Sequence, residues 1–171
     1  MKIAVVGNAA AGKTYLSRRL AKQFSIPLVH VDSIQFLSGM KIRPHSETIK
    51  ILRDLAAGSS WVIDGYGPLD IIEERFLIAD KIVFIDLPIW LHFVLASKRQ
   101  IQSFWKPRPE LVPGCEDARF SQTIKLFKTI WVVHKKMRPE LLKIFEREHL
   151  KAKMIVVRGL REMNEVGAKI F

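Results

Sequence analysis

The 171-residue chain has one cysteine, far fewer acidic than basic residues, and no long uninterrupted apolar run. Its only cysteine, Cys115, excludes an intramolecular disulfide and a zinc site made of several cysteines, which favours a reducing compartment. The most apolar stretch, residues 82–96, contains Asp86 and Pro88 and is too short to cross a bilayer. The apolar run before Gly7 is shorter than the core of a secretory signal. We therefore expect a cytoplasmic protein without a membrane partner.

The shortage of acidic residues gives the chain a strong positive charge. Against 28 lysines and arginines there are 17 aspartates and glutamates, for a net charge of +11. This balance favours anionic partners, namely nucleotides, phosphorylated metabolites or nucleic acid, without choosing among them. The length is typical of one domain with a substantial core, so we expect residues 1–171 to form a single domain, as a monomer or a dimer.

A phosphate-binding sequence motif, G-x-x-x-x-G-K-[ST], occupies residues 7–14. The β-branched segment 2–6 before it predicts a strand, and after it Leu16, Leu20 and Phe24 recur at helical spacing. A strand that enters the loop and a helix that leaves it form the context in which this motif binds phosphate. The alternative is a turn rich in glycine and alanine that binds no ligand.

In a phosphate-binding loop of this kind (a P-loop, or Walker A motif), backbone N–H groups and the helix N-terminus surround the phosphates. Lys13 is expected to place its ammonium on the β- and γ-phosphates, and the Thr14 hydroxyl to bind Mg²⁺. The predicted nucleotide-binding residues are Gly7, Asn8, Ala9, Ala10, Ala11, Gly12, Lys13, Thr14, Tyr15 and, after the last predicted strand, Arg161.

Short apolar strands alternate with helices along the rest of the chain, which predicts an α/β fold with a parallel sheet covered on both faces. Residues 106–119 hold three prolines and a glycine, and they predict a loop within a lid-like segment at about 100–120 that closes over the nucleotide. A helical region is predicted after the lid-like segment, and we expect Arg138-Pro139 to break it. Strands are predicted at 2–6, 28–31, 61–63, 82–87 and 154–157, and helices at 14–24, 47–57, 68–78, 88–105, 120–136, 139–149 and 162–170.

Three of the five predicted strands end in aspartate, at Asp32, Asp64 and Asp86. Ligands of such sheets bind at the carboxyl ends of the strands. A carboxylate there can hold Mg²⁺ or orient the hydroxyl of a phosphoryl acceptor. We expect Thr14, Asp32 and Asp64 to provide the metal ligands and Asp32 also to act as the base for the acceptor. Each aspartate could instead cap a helix or turn, which explains Asp86 best.

Arginines are candidates because phosphoryl transfer depends on positioning and on neutralising charge. Arg99 and Arg108 lie on either side of the start of the lid-like segment, and both are predicted to be catalytic, with a solvated surface charge as the alternative for each. The other arginines that we considered are Arg43, Arg75 and Arg119.

A second group of basic residues follows the predicted lid. These side chains could form a solvated face or a surface for phosphates or nucleic acid. They are Lys125, Lys128, Lys135, Lys136 and Arg138.

Taken together, these segments resemble a known family. The P-loop is followed by IPLVHVD, WVIDGYG, IDLP, a helix that ends in KR, RPE and GC, and later by IKLFKTIW and RPELLKIFE. In this order the segments are similar to the adenylate-kinase-related DNA-topology-modulation proteins, of the P-loop class of nucleoside and shikimate kinases. The resemblance extends from Met1 to about residue 158 and implies a three-layer fold whose five parallel strands lie in the order 2-3-1-4-5.

The resemblance also implies site residues. Lys13 and Thr14 would bind phosphate and Mg²⁺, and Asp32 would lie on the acceptor side. Asp64 would support Mg²⁺ and the acceptor site, and Arg99 would be a lid arginine that holds phosphates. Four positions depart from the family pattern. Ala10 replaces a glycine, although alanine disfavours positive φ, and Leu95 replaces an arginine that packs on adenine. Ile89 and Gln100 replace residues that are often basic.

The sequence therefore predicts a kinase that uses ATP and Mg²⁺ to phosphorylate a small acceptor, with a nucleoside monophosphate as one candidate. The alternative is a nucleotide-dependent regulator that binds nucleic acid and has little or no kinase activity. The identity of the acceptor and the preference for ATP over other nucleotides stay open at this point.

Overall fold

A computed structural model describes residues 1–38, 41–103 and 120–170. The predicted lid-like segment lies mostly outside the described residues, and with it Arg108, Arg119 and Cys115. None of the helices in the described part of the chain is long and apolar enough to cross a membrane.

Five parallel strands form the central sheet, as the alternating pattern predicts. The middle strand is apolar on both faces because helices cover the sheet on both sides. The strands of this sheet are β1 (Lys2–Gly7), β2 (Leu28–His30), β5 (Trp61–Asp64), β6 (Lys81–Ile85) and β7 (Met154–Val157). From edge to edge the order is β2-β5-β1-β6-β7.

Two further strands, β3 (Phe36–Leu37) and β4 (Lys41–Ile42), pair antiparallel outside this sheet. The sequence did not predict them, because each is only two residues long. They change the numbering of the sheet strands but not their positions. Counted among themselves along the chain, the five parallel strands lie in the order 2-3-1-4-5.

Most predicted helices are present within a few residues of their expected ends, and a short helix that was not predicted, α2, directly follows β2. Helix α1 begins after Gly12 and ends at Ser25, which has a left-handed φ of 53°. The helices are α1 (Lys13–Phe24), α2 (Val31–Gln35), α3 (His45–Ala56), α4 (Leu69–Ile78), α5 (Ile89–Ser103), α6 (Phe120–Val132), α7 (Arg138–Phe145), α8 (Glu148–Lys151) and α9 (Leu160–Lys169).

Successive side chains of each strand enter two different apolar cores because they point to opposite faces of the sheet. On one face Ala4 and Val6 pack against residues of α3, α4 and α7. On the other face Ile3 and Val5 pack against residues of α1 and α9. The fold therefore has three layers, and the carboxyl ends of the strands are left for the loops.

The predicted break at Arg138-Pro139 is wrong. Between α6 and α7, residues Val133–Met137 form one π-helical stretch, and the chain stays helical from 120 to 145. The Arg138 N–H donates to the Val133 carbonyl, five residues back. Pro139 lies in the first turn of α7, where a missing N–H costs little. A proline inside an α-helix collides with the carbonyl four residues before it, and the wider π-turn relieves this collision.

Candidate functional site

The phosphate loop is held close to the end of the neighbouring strand β6. A Cβ on Gly7 would lie 2.7 Å from the Ile85 carbonyl oxygen, a contact that real side chains do not make. Gly12 has a φ of 81°, which favours glycine, and a Cβ there would meet the Met163 side chain at 3.3 Å. Both glycines of the motif are therefore required by the geometry of the loop.

Ala10 adopts the left-handed backbone conformation that alanine disfavours, with a φ of 57°. The loop thus keeps a positive φ at the position where the family resemblance implies a glycine. An L-residue pays about 1–2 kcal/mol for this conformation because its Cβ approaches the following carbonyl oxygen.

Asn8 and Ala9 connect the phosphate loop to helices α5 and α6. The Asn8 side chain is buried; its Oδ1 accepts from the Ala9 N–H at 2.7 Å, and its Nδ2 donates to the Ile130 carbonyl at 2.9 Å. On the α5 side, His92 Nδ1 lies 3.1 Å from the Ala9 carbonyl oxygen. No local pattern could predict these contacts, because they join residues that are 83 and 122 positions apart in the chain.

The Lys13 ammonium lies at the loop formed by residues 7–14. Its Nζ donates to the Asn8 carbonyl at 3.0 Å. Burial is the largest influence on this ammonium and lowers its pKa below the ordinary 10.5. The carboxylates of Asp32 and Asp64 raise the pKa again in part, whereas the Arg99 guanidinium lowers it further. The structure therefore places three of the other four predicted catalytic residues, Asp32, Asp64 and Arg99, within electrostatic reach of Lys13.

Asp64 ends β5, is only 5% exposed, and is paired with a histidine. His30 ends the neighbouring strand β2 and lies in register with Asp64. The His30 Nδ1 and the Asp64 Oδ2 are 3.0 Å apart. On the other side of β5, Asp64 is in register with Val5 of β1, and the Gly65 N–H donates to the Val5 carbonyl at 3.0 Å. A buried carboxylate requires such partners, because it has lost its hydration.

Arg75, one of the arginines considered above, is buried beneath this site and has a structural role. Its Nη2 donates to the carbonyls of Gly65 at 2.7 Å and Tyr66 at 3.1 Å. Burial lowers the pKa of Arg75 to about 10, and the Asp64 carboxylate offsets part of this effect. Arg75 therefore supports the turn after β5, and Arg43 likewise supports a backbone carbonyl, that of Ile34 at 2.8 Å.

The metal ligands predicted from sequence, Thr14, Asp32 and Asp64, differ in exposure. Asp32 is exposed in the first turn of α2, Thr14 is half-buried, and Asp64 is buried. Among the described residues, no group of three or more His, Cys, Asp or Glu side chains could hold a metal ion by itself. The available donors are a hydroxyl and carboxylates, which fit Mg²⁺ that binds through one or two protein oxygens together with phosphates and water.

Asp86, at the end of β6, forms an ion pair that the sequence did not predict. Its two carboxylate oxygens accept from Arg138 Nε at 2.6 Å and Arg138 Nη2 at 2.8 Å. This bidentate pair is half-buried, and the bond to Asp86 raises the pKa of Arg138. Arg138 therefore faces the carboxyl ends of the strands, although the sequence grouped it with a basic surface.

A small cleft lies between the phosphate loop, the end of β6 and the π-helical stretch. Its lining residues are Asn8, Tyr66, Phe84, Ile85, Asp86, Leu87, His92, Val133, His134 and Arg138. Burial is the main cause that raises the pKa of Tyr66 and lowers the pKa of His92 and His134. At neutral pH the cleft therefore presents a neutral phenol and two neutral imidazoles beside the ion pair of Asp86 and Arg138.

The other residues predicted for the site are less enclosed. Tyr15 is 59% exposed at the start of α1, and Arg161 is exposed in the first turn of α9. Leu95 is half-buried and packs against the core between the sheet, α1 and α9. No protein-family model and no curated protein sequence matches the chain.

Proposed function

We propose that this protein is an ATP- and Mg²⁺-dependent phosphotransferase of the adenylate-kinase-like class, acting in the cytoplasm on a small acceptor. The supporting observation is the set of charges around Lys13. Its ammonium lies in a P-loop and within electrostatic reach of Asp32, Asp64 and Arg99. Phosphoryl transfer needs cations for the phosphates together with a carboxylate for the acceptor and another for the metal.

Each residue has a role in this proposal. The N–H groups of the loop, Lys13 and Arg99 bind the phosphates, while the Thr14 hydroxyl and Asp64 hold Mg²⁺. The bound metal would neutralise charge on the β- and γ-phosphates. Asp32 is exposed at the neighbouring strand end, where an acceptor from solution can reach it.

The reaction is a transfer of the γ-phosphoryl group. A hydroxyl or phosphate oxygen of the acceptor attacks the γ-phosphorus, and the bond from that phosphorus to the β,γ-bridging oxygen breaks to release ADP. If the nucleophile is a hydroxyl, Asp32 accepts its proton. The cations around Lys13 stabilise the charge that develops on the transferred group.

Lys13→Ala and Lys22→Ala test this proposal as a matched pair, since both lysines belong to α1 but only Lys13 points into the loop. Calorimetric titration with ATP and Mg²⁺ measures binding, and release of labelled phosphate to a panel of nucleotides and hydroxylated metabolites measures transfer. We expect K13A to lose ATP binding by at least tenfold and to lose transfer, while K22A retains both. Equal ATP binding by K13A and the wild type would refute the site.

Asp32→Ala separates binding from chemistry. We expect its ATP affinity to stay within about threefold of the wild type, because Asp32 lies on the acceptor side. Transfer should fall by about 10²–10⁴-fold, the usual contribution of a general base. Wild-type turnover of D32A on the true acceptor would exclude this role.

A second candidate function, nucleotide-dependent binding of nucleic acid, is favoured by the composition and the exposed aromatic side chains of α5, α6 and the π-helical stretch. Helices α5 and α6 and the π-helical stretch contain no aspartate or glutamate. Trp90 and Trp131 are 62% and 52% exposed, and the Lys135 ammonium lies 5.3 Å from the centroid of the Trp131 ring. Exposed aromatic rings and lysines together are typical of surfaces that bind single-stranded nucleic acid.

Titration of labelled single-stranded and duplex DNA at 50 and 200 mM salt tests this second function. Binding through phosphates predicts a steep loss of affinity as salt increases. Trp131→Ala should weaken the binding of single strands by about 1–3 kcal/mol if bases stack on this ring. The absence of binding at low salt would eliminate the second function.

A further inference from the structure

The pairing of His30 with Asp64 has no role in the reaction described above. The two residues end neighbouring parallel strands in the same register, so their side chains lie side by side. His30 Nδ1 is 3.0 Å from Asp64 Oδ2, and the Asp64 side chain is only 7% exposed. The backbone after Asp64 is already fixed by the bond from the Gly65 N–H to Val5. The contact with His30 therefore restrains the remaining freedom of Asp64, which is the rotation of its carboxylate.

The cations near Asp64 would otherwise compete for its carboxylate. Asp64 acts electrostatically on both Lys13 and Arg75. The Nη2 of Arg75 already donates to two carbonyls, but Lys13 is the cation that the phosphates require. A direct ion pair between Asp64 and Lys13 would neutralise the ammonium and turn the carboxylate away from a metal ion. An imidazole that occupies Oδ2 prevents this rotation and leaves Oδ1 for a ligand at the loop.

We propose that His30 is a positioning residue that orients the Asp64 carboxylate toward the Mg²⁺ of a bound Mg²⁺–nucleotide complex. This inference rests on the proposed function. It assigns the Mg²⁺ dependence of nucleotide binding to a histidine that does not itself touch the nucleotide. Partners of this kind, which orient a metal ligand, typically change metal affinity by 10–100-fold when they are removed.

Three variants test the proposal. His30→Leu removes the ring nitrogen; His30→Asn replaces it, because the Asn amide nitrogen is as many bonds from Cβ as His Nδ1. His149→Leu, at an exposed position of helix α8, is the matched control. Calorimetry measures ATP affinity in EDTA and across a Mg²⁺ titration. We expect H30L to need at least about tenfold more Mg²⁺ for half-maximal tightening, with ATP affinity in EDTA within threefold of wild type. H30N and H149L should follow the wild type.

The background variant Asp64→Asn shows whether His30 acts through Asp64. If it does, H30L should add no further Mg²⁺ defect to D64N, because effects transmitted through one group are not additive. Wild-type Mg²⁺ dependence in H30L, or equal defects in H30L and H30N, would overturn the inference. If H30L does not fold, His30→Gln replaces it. The amide nitrogen of glutamine is one bond farther from Cβ than His Nδ1, so we expect H30Q to lose the contact with Asp64 and to show the same Mg²⁺ defect. Failure of the wild type to bind ATP with Mg²⁺ would instead refute the proposed function.

Discussion

Replacing Ala10 by glycine is expected to stabilise the protein, because Ala10 has a φ of 57°. Relief of this conformation should raise the free energy of unfolding by about 1–2 kcal/mol. The greater flexibility of glycine in the unfolded chain should lower it by about 0.5–1 kcal/mol. The lost methyl group is half-buried and costs about 0.4 kcal/mol more. The net expectation is a gain of about 0.4 kcal/mol in the free energy of unfolding from these three terms.

Ser25→Gly is the matched control, since Ser25 has a φ of 53° at the other end of α1. Ser25 is exposed, so no packing is lost and the gain should be larger, about 0.8 kcal/mol. The two sites lie about 18 Å apart, the length of the helix, so the gains in the double variant should add. Urea unfolding of the four proteins measures each gain.

Measurements of ATP binding should distinguish Ala10, which lies in the loop, from Ser25, which does not. If the nucleotide-bound loop keeps the left-handed conformation at Ala10, A10G should bind ATP within about threefold of the wild type. S25G, outside the loop, should not change binding at all. Lower stability of A10G relative to the wild type, together with no gain in S25G, would refute the strain argument.

Three further predictions concern the surroundings of the loop. Asp86→Asn and Arg138→Met, singly and together, should show a coupling of about 1–2 kcal/mol in urea unfolding, because both bonds of the half-buried pair are charge-assisted; a coupling near zero would contradict this. Burial lowers the pKa of His92 below its ordinary 6.5, so the unfolded chain takes up a proton first as the pH falls. The free energy of unfolding should therefore be greatest above pH 6.5 and decline toward pH 5. His92→Asn should reduce the slope of that decline by at most about 1.4 kcal/mol per pH unit. An identical pH profile for H92N would show that groups other than His92 cause the decline. Gly7→Ala should lower the free energy of unfolding by about 2 kcal/mol or more, because its Cβ would collide with the Ile85 carbonyl; near-normal stability in thermal unfolding would show that the loop can move.

Local patterns predicted much of the fold and of the loop. The strands and the longer helices follow from apolar periodicity, and the motif at residues 7–14 lies between β1 and α1 as expected. The predicted break of the helix at Pro139 was wrong for a physical reason. A proline signals the loss of one hydrogen bond, but the π-helical stretch before it shifts the pairing so that the helix continues.

The contacts that complete the site could not be predicted in the same way. His30 and Asp64 are 34 positions apart, and Asp86 and Arg138 are 52 positions apart. A strand-end aspartate has the same sequence signature whether it caps a helix, pairs with arginine or faces a metal. Only the packing of neighbouring strands and of α7 against the sheet distinguishes these cases.

The sequence by itself determined that a loop bounded by two glycines joins β1 to α1 at residues 7–14, because the motif and the apolar periodicity on either side of it are local patterns. It also determined the three-layer α/β arrangement, through the period of its apolar residues. The tertiary structure decided which charges meet. It placed Asp64 beside His30 and within electrostatic reach of Lys13, and it paired Arg138, which the sequence grouped with a basic surface, with Asp86. The physical reason is that the partner of a buried charge depends on which chain segments pack together, and no local periodicity encodes that choice.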